Sequence, residues 1–256
     1  MATDLLLKFA KDLAATVNAL TIADDVRQVS TSICQVMDFI DQSLEDNYEK
    51  RLDFYTNCRE LFKRVENVQQ RLVNKALTLA IAVRQRYGAA KTKIHAFLQA
   101  CLAFSYITIP SISNDYLRLQ SYLLSCQVGY QCRCIGQAEA SVEAILENLQ
   151  RCGKSECYSI IMSDFLPPFL SFLLLLPSEN EDMLTTRLVK LTLKSASEMS
   201  SISPAAQFSF MMLLVKSLYL LRTAGLQRYP YHIGENNALF RGRCEICFLR
   251  TCGSVF

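Results

Sequence analysis

Glycine is scarce, with only Gly88, Gly129, Gly136 and Gly153 in the first 224 residues. Four are too few for the many tight turns of a β-rich fold or for nucleotide-binding loops, so helices are the favoured element. Histidine is scarcer still, limited to His95 and His232. The sequence has no Gly-rich phosphate motif, no His-Glu-x-x-His and no nucleophile elbow, so no pattern of reacting groups suggests an enzyme or a cofactor. His95 follows the inward-facing Ile94 and reads as a partly exposed structural residue rather than a general base.

Long apolar runs are missing from the places that come nearest to one. Ile160 to Leu176 is interrupted by Pro167 and Pro168 and contains Asp164, and Phe208 to Leu221 is short and contains Lys216. Neither reaches the roughly 18 to 20 apolar residues of a membrane span. The Met1 end has no apolar core followed by a cleavage site, so no secretory signal is read there. These absences predict a soluble or peripheral cytoplasmic chain whose eleven cysteines stay reduced. The formal charge of +3 gives the molecule no strong pull on nucleic acid. Acidic residues are also missing locally. Residues 67–114 carry Arg71, Lys75, Arg84, Arg86, Lys91 and Lys93 but no Asp or Glu, so one segment is expected to present a positive surface.

What the sequence does have is helical period. Ile22, Val26, Val29, Ile33, Val36 and Ile40 alternate steps of four and three and fall on one stripe. Leu6, Phe9, Leu13, Val17 and Leu20 make a similar stripe before it. From Tyr48 through Tyr55, Cys58, Phe62, Leu72, Leu79 and Val83 the spacing predicts one long helix, or two joined near Asn67, ended by Gly88. The next helix runs from about Ala90 to Ile109 and stops at Pro110, because proline disfavours a helical residue ahead of it. Ser111 to Asp115 reads as a turn with capping residues. Tyr116 to Leu123 and Ile135 to Leu149 mark two further helices. The Pro167-Pro168 pair breaks or kinks an apolar helix. Another helix is expected from about Glu181 to Met199, and one more between the Ser203-Pro204 start and Gly225. This predicts an all-α fold, a HEAT-like α-solenoid of antiparallel helix pairs over 1–225, with a poorly ordered cysteine-rich tail over 226–256.

Two constellations merit weighing. Cys244, Cys247 and Cys252 with His232 supply ligand types that zinc takes, but His232 stands alone and the third cysteine lies five residues on. That spacing favours an unligated tail. Cys132, Cys134, Cys152 and Cys157 read as small apolar packing residues. The basic segment with Arg84, Arg86, Lys91 and Lys93 is the candidate for meeting an acidic partner or anionic lipid, against the plainer reading of a solvated inter-helix loop.

Residues 51–62 read RLDFYTNCRELF, and residues 96–128 read AFLQACLAFSYITIPSISNDYLRLQSYLLSCQV. The telling pieces are Leu52-x-Phe54-Tyr55, the run from Phe104 to Ser111, and Arg118-Leu119-x-x-Tyr122-Leu123. They resemble the large solenoid subunit of the retriever complex, a vacuolar protein sorting family related to retromer's large subunit, with the likeness running from roughly Phe39 to Pro177. The resemblance implies a non-catalytic scaffold that supports recycling of membrane proteins at the endosome membrane. It implies an arrestin-like subunit, a small metallophosphoesterase-fold subunit and a larger coiled-coil assembly as partners. Members of that family are several times longer, so an internal or C-terminal piece is expected, without the arrestin-like subunit's site. The alternative is a peripheral membrane module that binds anionic lipid through the 84–93 segment.

Overall fold

The structure is a computed structural model that describes residues 2–17, 23–44, 47–88 and 92–152, and within the following stretch 160–166, 168, 169, 172 and 212. The chain divides into two compact units, Met1–Ile145 and Leu146–Phe256. Among the described residues all regular structure is helical: α1 Ala2–Val17, α2 Ala23–Ser43, α3 Tyr48–Leu61, α4 Glu66–Tyr87, α5 Thr92–Thr108, α6 Asp115–Gln131 and α7 Ile135–Arg151. The architecture is the expected all-α array of antiparallel helix pairs, of the α-solenoid class. The helices expected from about Glu181 to Met199 and from Ser203 to Gly225, and the tail 226–256, lie outside the described residues.

Helix α4 is the centre of the first unit and packs against α2, α3, α5 and α6. Leu72, Val73, Ala76, Leu77 and Ala80 are buried along it, and each large apolar side chain so covered contributes about 1.5–3 kcal/mol. The long apolar run from Tyr48 is two helices, separated at Phe62–Val65 with no proline or glycine to mark the break. Gln69 explains how the break is tolerated. This buried amide donates from Nε2 to the carbonyls of Arg59 (3.2 Å) and Phe62 (2.9 Å), satisfying groups that the end of α3 leaves orphaned.

Local chemistry fixes the other boundaries. Gly88 closes α4 with φ +72° and an N–H that donates to the Arg84 carbonyl at 2.8 Å, a backbone region that glycine adopts without strain. Asn47 caps α3 through Lys50 N–H, and Asn114 caps α6 through Leu117 N–H, both at 3.0 Å. After α5 the chain tightens into a 3-10 turn, Ile109–Ser111, around Pro110. Glu66, at the start of α4, accepts from the backbone N–H of Ser113 (2.9 Å) and Asn114 (3.0 Å) and from the Ser113 hydroxyl, tying the α5–α6 loop to α4.

Helices α6 and α7 are joined by a turn in which Cys134 N–H donates to the Gly129 carbonyl and Arg133 N–H to that of Tyr130. This is a Schellman closure with Arg133 in the left-handed position at φ +58°. A β-carbon there costs about 1 kcal/mol, so Arg133→Gly is expected to raise stability by roughly 0.5–1 kcal/mol. A thermal or urea midpoint that is unchanged or lower refutes that account of the turn.

The segment Thr92–Ser111 has the length and composition of a membrane span, at mean hydropathy 1.3, although it was not among the apolar runs singled out in the sequence. Half of it is buried within the protein, and α5 packs on α3, α4 and α6, so its apolarity is explained by these neighbours. In the second unit, Ile161–Phe165 forms a π-helical turn directly before the proline pair, and the rings of Phe165 and Phe169 stack at 5.5 Å.

Candidate partner-binding surface

The structure divides the basic segment picked out from the sequence. Arg71 and Lys75 are paired with acidic residues of α2, which balance their charge. Arg71 pairs with Asp38 at 2.7 Å, and Lys75 reaches both Asp38 and Asp41 at 3.0 Å. Arg84 is half-buried, and its charge acts on the thiols of Cys132 and Cys134 in the α6–α7 turn. Arg86 is exposed, with its guanidinium 5.5 Å from the centre of the Tyr87 ring. Lys93 is exposed 3.5 Å from Glu49. Lys91 lies outside the described residues.

Beside Arg86 lies a small aromatic cluster. Tyr48 at the start of α3 packs edge-on against Phe97 of α5 at 4.7 Å and lies 5.8 Å from Tyr87 at the end of α4. Tyr87 is itself exposed. The result is an aromatic cluster with the Arg86 guanidinium against its Tyr87 ring, a combination that suits a mixed polar and apolar partner surface, since an exposed cation–π contact is worth only about 0.5–1 kcal/mol.

A second polar centre escaped the sequence reading. The Asp41 side chain is 3% exposed and accepts four hydrogen bonds. Arg51 donates through Nε (2.8 Å) and Nη2 (2.9 Å), the Tyr55 hydroxyl through 2.6 Å, and Lys75 Nζ through 3.0 Å. Burial alone raises the carboxyl's pKa, but the hydrogen bonds from Arg51, Tyr55 and Lys75 outweigh it and hold the group below its ordinary value. Burial and the adjacent Asp41 push the Tyr55 phenol well above its usual range. The sequence did hold a signal: Ile33, Met37 and Asp41 follow one another at steps of four, and both Ile33 and Met37 are buried. An acidic residue that continues a buried track demands a cationic partner from elsewhere.

This centre has the geometry of a fastening: donors from α3 and α4 converge on one carboxylate of α2. The cysteines behave similarly. Among the described residues Cys34, Cys58, Cys101, Cys126, Cys132 and Cys134 are free thiols, and burial pushes Cys58 and Cys101 up to about 12 and Cys134 up to about 11. Thiols so shifted pack rather than react at neutral pH. His95 is half-buried on α5. No cluster of three or more metal-ligating side chains occurs among the described residues, while His232, Cys244, Cys247, Cys252 and Cys157 lie outside them.

Comparison with known proteins gives a family-level match over almost the whole chain. The profile of the VPS35L C-terminal domain matches residues 1–245, a longer stretch than the 39–177 likeness. "VPS35 endosomal protein-sorting factor-like" of Danio rerio is 35% identical over 184 residues, covering 69% of this chain and 19% of the relative. The protein of the same name from Homo sapiens is 29% identical over 251 residues, covering 93% and 25%. "VPS35 endosomal protein sorting factor-like" of Dictyostelium discoideum is 29% identical over 253 residues, covering 91% and 24%. The chain therefore spans about a quarter or less of the length of these relatives.

Proposed function

Because the chain belongs to the VPS35L C-terminal domain family, we propose that it is a non-catalytic scaffold segment of an endosomal protein-sorting complex, supporting retrieval and recycling of membrane proteins. The observation that carries this reading is the family match over residues 1–245, on a chain folded as paired helices whose polar centres fasten helix to helix. A helical array of this kind offers broad surfaces on which affinity comes from a few buried anchors. The small metallophosphoesterase-fold subunit is the partner expected on this piece. The arrestin-like subunit's site belongs to the solenoid outside it, and the coiled-coil assembly joins through the whole complex. The working location is the cytoplasmic face of the endosome membrane, reached peripherally.

The test is direct. Purified metallophosphoesterase-fold subunit is expected to co-elute with the full chain on a sizing column, and a helical, monodisperse chain that does not retain it overturns the assignment. The second reading has support in Arg86, whose guanidinium lies 5.5 Å from the centre of the exposed Tyr87 ring, and in the exposed Lys93. Flotation with vesicles containing phosphatidylserine separates the two. A chain that floats strongly and loses flotation on Arg86→Glu with Lys93→Glu is a membrane module, whereas the scaffold reading expects little flotation and no effect of these changes on subunit retention.

A further inference from the structure

A polar cleft of about 470 Å³ lies between α2 and α4 in the first unit. Four carboxamides line it, Gln35 from α2 and Asn67, Gln70 and Asn74 from α4. None of them hydrogen-bonds to another described residue, and all are at least partly open to solvent. Arg71 also lines the cleft. Its Nη2 donates to Asp38 at 2.7 Å, and its Nε and Nη1 find no acceptor among the described residues. The Arg71 side chain is 49% exposed, so one edge of the guanidinium faces water.

The spacing has chemical meaning. Asn67, Gln70 and Asn74 sit at i, i+3 and i+7, on one face of α4 and about one helical turn of 5.4 Å apart. Each carboxamide offers both an N–H donor and a C=O acceptor, the same pair that a peptide unit presents. In an extended chain, peptide units on one edge recur about every 6.6 Å, against rises of about 4.5 and 6 Å between these carboxamides, a difference that their rotatable side chains span. Asp38 balances Arg71, leaving no excess positive charge to draw a polyanion. No aromatic side chain lines the cleft, and aromatic faces are what a nucleobase or sugar would stack on.

We propose that the α2–α4 cleft binds an extended peptide segment of a partner protein. Gln35, Asn67, Gln70 and Asn74 hydrogen-bond to its main chain, and the open edge of Arg71 takes one acidic side chain. Recognition through the main chain makes the cleft tolerant of sequence except at the position facing Arg71. This goes beyond the scaffold reading and holds whichever subunit the chain retains.

The experiment is selection of a random heptapeptide phage library on the full chain, followed by affinity measurement with synthetic copies of the enriched peptides. Enriched peptides are expected to share an acidic residue and to lose tenfold or more in affinity for Asn67→Ala/Asn74→Ala. They are also expected to weaken when their backbone amides are N-methylated. Arg71→Ala removes the preference for the acidic residue. These are exposed polar positions, and unchanged circular dichroism and unchanged retention of the metallophosphoesterase-fold subunit show that each variant is folded and that the scaffold reading is unaffected. No enrichment, or enriched peptides that bind the double variant equally well, overturns the proposal. So does a glycan array in which a sugar binds the chain and is lost on Asn67→Ala/Asn74→Ala.

Discussion

Asp41→Asn is expected to destabilise the α2–α4 core by roughly 3 kcal/mol, at the lower end of the cost of removing one member of a buried ion pair. The substitution keeps the shape and removes the charge that Arg51 and Lys75 share. Those two side chains are 23% and 24% exposed, so each regains some water, which holds the cost below the upper end of that range. Tyr55→Phe removes only one neutral donor and is expected to cost about 1 kcal/mol. Hydrogen exchange of the amides in α2, α3 and α4 reads the loss locally. Equal protection in Asp41→Asn and the parent chain sinks the claim that this carboxylate fastens three helices.

The same carboxylate sets an acid dependence whose sign follows from its shift. Its folded pKa lies below the ordinary 3.8, so the stability it contributes is fully present above 3.8 and is lost as pH falls through the lower folded value. Asp38 is also held low: burial raises it, and the hydrogen bonds from Arg71 and Lys75 prevail. The gap between the parent chain and Asp41→Asn is therefore expected to be widest at neutral pH and to close below pH 3.8.

Features that depend on a single helix were legible in the sequence. Three-and-four spacing located α2 to α7, and Gly88, Pro110 and the Ser111 to Asp115 turn set boundaries that the structure keeps within a few residues. Features that depend on a neighbour were not. Phe9 belongs to the apolar stripe of α1 yet is 56% exposed, while Ala10 beside it is fully buried. Ile135, one of the apolar residues that mark α7, is exposed at its start. Period shows that a helix has a greasy face, but the packing partner decides which edge of that face is covered. The break that the spacing allowed near Asn67 lies at Phe62–Val65, and its place was not marked because its stabiliser, Gln69, acts across the chain fold and not along the helix. Arg71 and Lys75 of the basic segment are balanced by Asp38 and Asp41 for the same reason: these partners lie tens of residues away in sequence. The quoted likeness at 51–62 and 96–128 contains Arg51, Tyr55, the 3-10 turn and the Asn114 cap, so those residues are accounted for by fold construction.

Gly129→Ala is expected to cost up to about 3 kcal/mol, although alanine is the better helix former by about 1 kcal/mol. A β-carbon at Gly129 would stand 2.9 Å from Ala138 Cβ and 3.3 Å from Ala138 Cα. The second contact is backbone, so no rotamer change relieves it, and α6 and α7 must move apart. The pair also predicts a non-additive cycle. Ala138→Gly alone is expected to cost about 1 kcal/mol through helix propensity. Combined with Gly129→Ala it removes the nearer clash, so the double variant is expected to be more stable than the sum of the single losses implies. Urea unfolding of the four proteins of the cycle measures that coupling. Strict additivity would show that α6 and α7 are not held by this close approach, and that adjacent helix pairs at this point of the array tolerate a wider spacing than their small residues indicate.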